Sequence, residues 1–187
     1  MNLVERAKNI LLTPKTEWPV IAGETATLSS LLTSYVIPLA TIPAIASLLS
    51  GLVMGSGAGM RYAVTSALIT YVSAILGFVI TAYVVDLLAN TFKSEKDLNK
   101  SAQLVAYAST ASWVAGILVF IPVIAGLASI AGGIYAIYLM YLGVGPMKKT
   151  PEDQKVVYMV ITLVVLIAAS MVVGSVLGMF FLAGAVM

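Results

Sequence analysis

The chain has 187 residues and a mass of 19.6 kDa; 60% of it is hydrophobic and 10% charged, and its mean hydropathy is +1.04. A soluble domain is about 45–50% apolar and about 25% charged. A core of this size cannot hide so much apolar surface, which excludes an ordinary cytosolic protein and a disordered one and leaves a lipid bilayer as the natural solvent.

The N-terminal arm, 1–24, reads as two short amphipathic helices. Leu3, Ala7, Ile10 and Leu11 recur at helical spacing, with Glu5, Arg6, Lys8 and Asn9 on the other side. Thr13-Pro14 then reads as an N-cap followed by proline at the first helical position, with Glu17 in the first turn and a stop near Gly23. Both pieces are basic and too short to span. The leading expectation is a segment lying in the interface of the cytoplasmic leaflet, where Trp18 and the lysines are at home. The alternative is a segment packed on the loops. Charged residues this early, and a long apolar stretch that starts late, argue against a cleavable signal peptide.

The charges divide the rest of the chain. No charged residue occurs from Thr25 to Met60, from Tyr62 to Val85, from Ser101 to Met147 or from Val156 to Met187, runs of 36, 24, 47 and 32 residues. A membrane-spanning helix needs about 20 residues. The 47-residue run holds two, with a turn marked by Pro122 and Gly126. The expected fold is all-α, a polytopic bundle of five transmembrane helices at roughly 29–53, 63–91, 103–121, 127–145 and 156–182. Continuous apolar stretches such as 160–167 do not alternate as barrel strands do.

Nine of the ten bases fall before span one, between spans two and three, or between spans four and five; Arg61 alone falls on the other side. The positive-inside rule then places the N-terminus in the cytoplasm and the C-terminus outside. A re-entrant turn at 121–128 would reverse the last part of that topology. No Lys/Arg run exceeds two, so nucleic acid is not an expected partner.

There is no Cys and no His. That removes thiol nucleophiles, zinc sites, haem axial histidines and Ser–His triads. Gly55-Ser56-Gly57-Ala58-Gly59 superficially looks like a phosphate loop, but it follows an apolar helix and lacks Lys-Ser/Thr; a plain turn is the better reading. No enzymatic activity, cofactor or metal is expected.

Span one carries Pro38 and Pro43, each of which removes a backbone donor. They mark either a hinge or a static kink satisfied by neighbouring helices. Asp86 is the one acid inside a span, where a carboxylate costs roughly 2.5–3.5 kcal/mol at a helix centre. It is expected about two turns from the cytoplasmic face. Tyr83 and Asn90 share its side of the helix, and Tyr107, Thr110, Tyr138, Tyr141 and Tyr158 fall at similar depth. The candidate site is a polar cluster of these eight residues. It is either an aromatic belt around one bonded carboxylate or a vestibule for a cation, a proton or a lipid headgroup. Trp113 is too deep for a belt and is expected to fill a gap between helices, while Arg61 snorkels.

Small residues at four-residue spacing, Ala128 with Gly132, Ser129 with Gly133 and Gly174 with Gly178, let helices approach closely. Gly174 and Gly178 are the best candidates for self-association.

The opening Asn2-Leu3, Asn9-Ile10-Leu11-Leu12, Pro14, Trp18-Pro19 and Ile21, followed by five spans, resembles the Yip1-domain family of small membrane proteins. So does the stretch from Gly133 to Gly143, whose Tyr135, Tyr138, Tyr141 and Gly143 are its most specific part. The likeness covers nearly the whole chain and looks like a bacterial member. It implies a five-span protein of the inner membrane with a cytoplasmic N-terminus. Eukaryotic relatives associate with one another and contact Rab-type GTPases. The arm here is about 25 residues where theirs is long, and their Asp-Leu-Tyr-Gly-Pro motif is absent from this sequence, so the adaptor role is not part of the expectation here. The functional expectation is a protein that organises membrane or protein partners through its cytoplasmic loops. The alternatives are a cation or proton channel using Asp86, and a lipid-headgroup binder or scramblase.

Overall fold

A computed structural model describes residues 2–54 and 59–183. Helix α1 (Leu3–Leu12) and helix α2 (Pro14–Gly23) form the arm. The first long helix starts as α3 (Leu28–Leu31), passes through a π-helical turn at Leu32–Val36 and continues as α4 (Ile37–Met54). Then come α5 (Gly59–Leu88), α6 (Leu98–Ala115), α7 (Pro122–Lys148) and α8 (Glu152–Ala183). Short 3-10 turns follow α5 at Ala89–Phe92 and α6 at Gly116–Phe120. Five helices are long and apolar enough to cross a membrane, and no strand occurs among the described residues. The protein is an all-α polytopic bundle.

The least apolar span sits in the middle. The α6 span has mean hydropathy 1.5 and is 56% buried, whereas the α8 span has 2.8 and is 19% buried. Lipid is as apolar as leucine, so a bundle in lipid gains little by hiding its most hydrophobic helix. It does gain by hiding the helix that carries Ser101, Gln103, Tyr107 and Thr110, all buried. Helix α6 packs against α4, α5, α7 and the arm. Trp113 is buried with this core.

Turns between spans are tighter than the sequence reading assumed. Helix α7 starts at Pro122 itself, directly after Ile121, and Gly126 lies inside it. Proline at the first helical position gives up a donor that would have no partner anyway. At the opposite end Lys149 and Lys93 take the left-handed conformation, with φ of 50° and 53°, and stop α7 and the turn after α5. The two stops are tied together. Glu95 N donates to Lys148 O at 2.7 Å, and the Ser94 and Thr150 hydroxyls meet at 2.8 Å. The 93–97 and 149–151 loops therefore share one end of the bundle, and α7 crosses from the far end to this one.

The arm docks at the same end. Lys100 Nζ donates to Ala22 O at 2.7 Å and to Glu24 O at 2.9 Å, and Tyr135 OH donates to Leu11 O at 2.6 Å. Ile10, Trp18 and Ile21 are buried against α6 and α7, and Gly143 leaves room for the Trp18 indole: a Cβ there would lie 2.6 Å from it. The arm is amphipathic, as its periodicity suggests, yet the apolar side assigned to the leaflet turns onto the bundle. Trp18 is a packing residue here. Val4, Leu12 and Val20 are what the arm leaves outward. Thr13 does not cap α2 with its side chain; its hydroxyl donates back to Asn9 O.

Pro38 and Pro43 do not interrupt the first span, which runs Leu28–Val53. The π-turn lies just before Pro38, where the i→i−4 ladder loses a donor. Pro43 faces the end of α6: a Cβ on Gly116 would come within 2.7 Å of Pro43 Cβ. Gly132 is similarly close to α6, 2.5 Å from Ala115 Cβ on the same test, while Gly133 faces open space. Gly174 and Gly178 lie outside the residues whose packing is described, and the 55–58 part of the glycine-rich turn lies outside the described residues.

Candidate functional site

The polar cluster expected around Asp86 divides into two sites and a remainder. The first site joins α5, α6 and α7 at the arm end. Asp97 caps α6, accepting from Asn99 N at 2.8 Å and Lys100 N at 3.0 Å. Its backbone oxygen then faces inward. Lys148, in the last turn of α7, reaches it at 3.1 Å, Ser101 Oγ at 2.6 Å and Asp86 Oδ1 at 3.3 Å. An ammonium has three protons. All three have acceptors, so a lysine with a fully buried side chain is completely satisfied. The Ser101 hydroxyl has one proton, and lies within reach of Asp97 O at 2.9 Å and Asp86 Oδ1 at 3.3 Å. The buried acid is thus partnered by a buried base from a span it does not follow in sequence. Thr150 Oγ1 closes the end of α7 by donating to Val144 O at 3.2 Å.

Tyr158 adjoins this site without touching the carboxylate. Its hydroxyl donates to Val85 O, and its ring stacks on Phe92 with centroids 4.9 Å apart. It fastens α8 to the end of α5.

The second site lies between the arm, α4 and α6. Arg6 is buried. Its guanidinium donates to Glu17 Oε1 at 2.5 Å and to both Glu24 carboxylate oxygens, and lies 5.4 Å from the centre of the Tyr107 ring. Tyr107 meets Tyr35 edge-on at 4.8 Å, and the Tyr35 and Thr110 hydroxyls are 2.8 Å apart. Beside it opens a cavity of about 570 Å³ lined by polar groups including Asn2, Glu24, Ser30, Ser34 and Tyr35.

Tyr107 and Thr110 therefore belong to the Arg6 site. Tyr83, Asn90, Tyr138 and Tyr141 belong to neither: Asn90 is exposed, Tyr83 is 49% exposed, and Tyr138 and Tyr141 are 39% and 40% exposed. Tyr138 stacks on Tyr135 at the surface. Helical spacing placed them beside Asp86 in depth, but they face outward.

Sequence reasoning missed Arg6, Glu17, Glu24, Tyr35, Ser101 and Lys148. Two signals were available. A lone acid within a span requires a buried base, and Lys148 closes the longest uncharged run. Arg6 is the arm's one arginine, and a guanidinium takes two carboxylates at once.

The Yip1 domain profile matches residues 8–174. The chain belongs to the Yip1 domain family. No curated protein and no solved structure matches it. The matched region holds both loops at the arm end and every residue of the Asp86 site, and begins inside α1, so Arg6 precedes it. Five apolar helices and a Yip1 domain make this an integral membrane protein.

Proposed function

We propose that this Yip1 domain is a non-enzymatic organiser of membrane or protein partners, acting through the face formed by its arm and its two basic loops. The observation that carries the reading is that these three segments build one continuous surface, joined by Lys100 to the arm and by Glu95 and Ser94 between the loops. A preformed surface loses little conformational entropy on binding. The excess of bases over this end supports a cytoplasmic location, with the C-terminus outside, in a bacterial inner membrane. In this reading Asp86 is a fastening. Its Oδ1 accepts from Lys148 on α7 and from Ser101 on α6, which ties the three helices together.

The test is site-specific photo-crosslinking in native membranes. A photoreactive residue at Glu95 or Lys149, an exposed ion pair of 2.9 Å, is expected to give discrete protein adducts; one at exposed Tyr62, at the far end, is not. Adducts equally frequent at both ends, or none at Glu95 and Lys149, would refute the reading. Ion and proton flux in liposomes is expected to stay at background for wild type and Asp86→Asn alike. An Asp86-dependent flux would replace the organiser by a conductor.

A further inference from the structure

The arm meets the bundle well inside its end, and the elbow between α1 and α2 is left exposed. We propose that this elbow is a membrane anchor. Leu12 enters the acyl boundary of the leaflet at the arm end, and Lys8 and Lys15 reach from either side of it to the phosphates of anionic phospholipids. This goes beyond the partner reading and holds whether or not a protein meets the loops.

Two contacts set the depth. Leu11 O accepts from the Tyr135 hydroxyl, and Tyr135 is the middle residue of α7. Helix α7 has 27 residues, so Tyr135 stands about 20 Å from each of its ends. A hydrocarbon core of about 30 Å, measured from the far turn at Pro122, passes Tyr135 by about 10 Å. The elbow that Tyr135 holds therefore lies at the acyl boundary and not above the headgroups. Arg6 gives the second mark: it lies over Tyr107, about 14 Å along α6 from its start at Leu98. The 93–97 and 149–151 loops, by contrast, lie at the helix ends. The arm sits below them, at the level where an interfacial segment buries its apolar side about 5–10 Å deep.

The chemistry of the elbow fits that boundary. Leu12 is 68% exposed, and Val4 and Val20 join it on the arm's outward side. The turn spends polar groups on itself. The Thr13 N–H and hydroxyl both donate to Asn9 O, Thr13 O accepts from the Thr16 and Glu17 N–H groups, and Pro14 has no N–H to leave bare. Backbone groups facing hydrocarbon need partners within the protein. Lys8 and Lys15 are exposed and enter no ion pair among the described residues. Lys8 falls one turn before Leu12 and Lys15 about one turn after it, so each ammonium can rise along its own stem to the headgroups. The acids of the arm do not compete. Glu17 and Glu24 are both held by Arg6, and Glu5 stands in the first turn of α1, away from the elbow. An apolar tip flanked by two free bases matches a leaflet with anionic phosphates above its acyl chains.

The test uses the full chain, which has no cysteine, so one introduced residue carries the only spin label. Leu12→Cys is labelled in vesicles of phosphatidylcholine and phosphatidylglycerol, beside Ile134→Cys on the exposed side of α7 and Glu95→Cys in the loop. Leu12 is exposed, so its label leaves the packing of Ile10 and Trp18 in place. Collision with oxygen marks lipid, and collision with a soluble nickel chelate marks water. The Leu12 label is expected to prefer oxygen as the Ile134 label does. A Leu12 label that meets nickel as often as the Glu95 label overturns the anchor. One shielded from both reagents shows protein over the elbow and overturns it too. Native mass spectrometry in mild detergent tests the phosphate contacts. Retention of phosphatidylglycerol over phosphatidylcholine is expected to fall about fivefold for each of Lys8→Gln and Lys15→Gln. Retention unchanged by the two substitutions together overturns the role given to the lysines.

Discussion

At the arm end the helices meet through ions and hydroxyls; in the far half they meet where side chains are missing. Lys148, Asp86, Ser101 and the Asp97 carbonyl bind α5, α6 and α7 to one another, and Arg6 with Glu17 and Glu24 binds the arm upon itself over Tyr107. Farther along, Gly51 lies against Ala63, Gly116 against Pro43 and Gly132 against Ala115, each so close that an added Cβ would fall 2.5–2.7 Å from its neighbour. Both are solutions to the same problem. Apolar burial does not drive helices together in lipid, so close packing and hydrogen bonding must. Close packing holds shapes in register wherever small residues align. Buried ion pairs specify partners, because any other arrangement strands a charge. The half that carries the proposed partner surface is the half held by charge.

The largest expected effect comes from stranding one of those charges. Lys148→Met leaves Asp86 buried without its base, and is expected to cost about 3–5 kcal/mol. The double variant Asp86→Asn, Lys148→Met removes both charges and should recover most of that loss. Equilibrium unfolding of the purified protein in mixed micelles measures both. A double variant as damaged as the single one would mean that the pair does more than satisfy itself.

Arg6→Ala is expected to rank second, at about 2–3 kcal/mol of docking free energy, with effects confined to the arm. Glu17 is buried and loses its partner, whereas Glu24 is half-exposed and turns to water. The Trp18 indole, nearly fully buried against Gly143, reports the outcome: its emission should shift to the red while the helical signal of the spans stays constant. Loss of the spans together with the arm would show that the arm is part of the bundle's core.

These two sites mark how far the sequence could be read. The five spans follow from where eighteen charges do not occur, a signal that lipid imposes and packing cannot override. The family follows from the ordered set of arm and Tyr-rich motifs. Depth along a helix was also legible, which is why Asp86, Tyr107, Thr110 and Tyr158 were singled out. Rotation about the helix axis was not. The spans are apolar all round, so no polar face tells Tyr158, which points in, from Tyr83, which points out. The arm was misjudged for a related reason. A periodic apolar stripe says that one side is covered, and lipid and protein cover it equally well.

Small residues test the other half of the comparison. Gly132→Leu drives a side chain into Ala115 and the Ala111 carbonyl, and is expected to cost about 1–3 kcal/mol. The next residue supplies the control. Gly133 has nothing within 4 Å of an added Cβ, so Gly133→Leu should change stability by less than about 0.5 kcal/mol. If both substitutions cost the same, the loss comes from the helix backbone or from lipid contact, and close approach to α6 does not hold α7 in place.

The smallest expected effect separates the two sites from the residues that share only their depth. Tyr83→Phe and Tyr141→Phe remove hydroxyls from half-exposed rings with no hydrogen bond to either site, and should move the unfolding midpoint by no more than about 0.5 kcal/mol. Tyr158→Phe removes the hydroxyl that Val85 O accepts inside the bundle, and should cost about 1–2 kcal/mol by orphaning that buried contact between α8 and α5. The three substitutions are chemically identical and lie at similar depth. A clear cost for Tyr158 beside silence for the other two would show that rotation about the helix, which the sequence did not reveal, decides which tyrosines fasten the arm end. Equal costs would return all three to an interfacial belt whose hydroxyls act through the lipid headgroups.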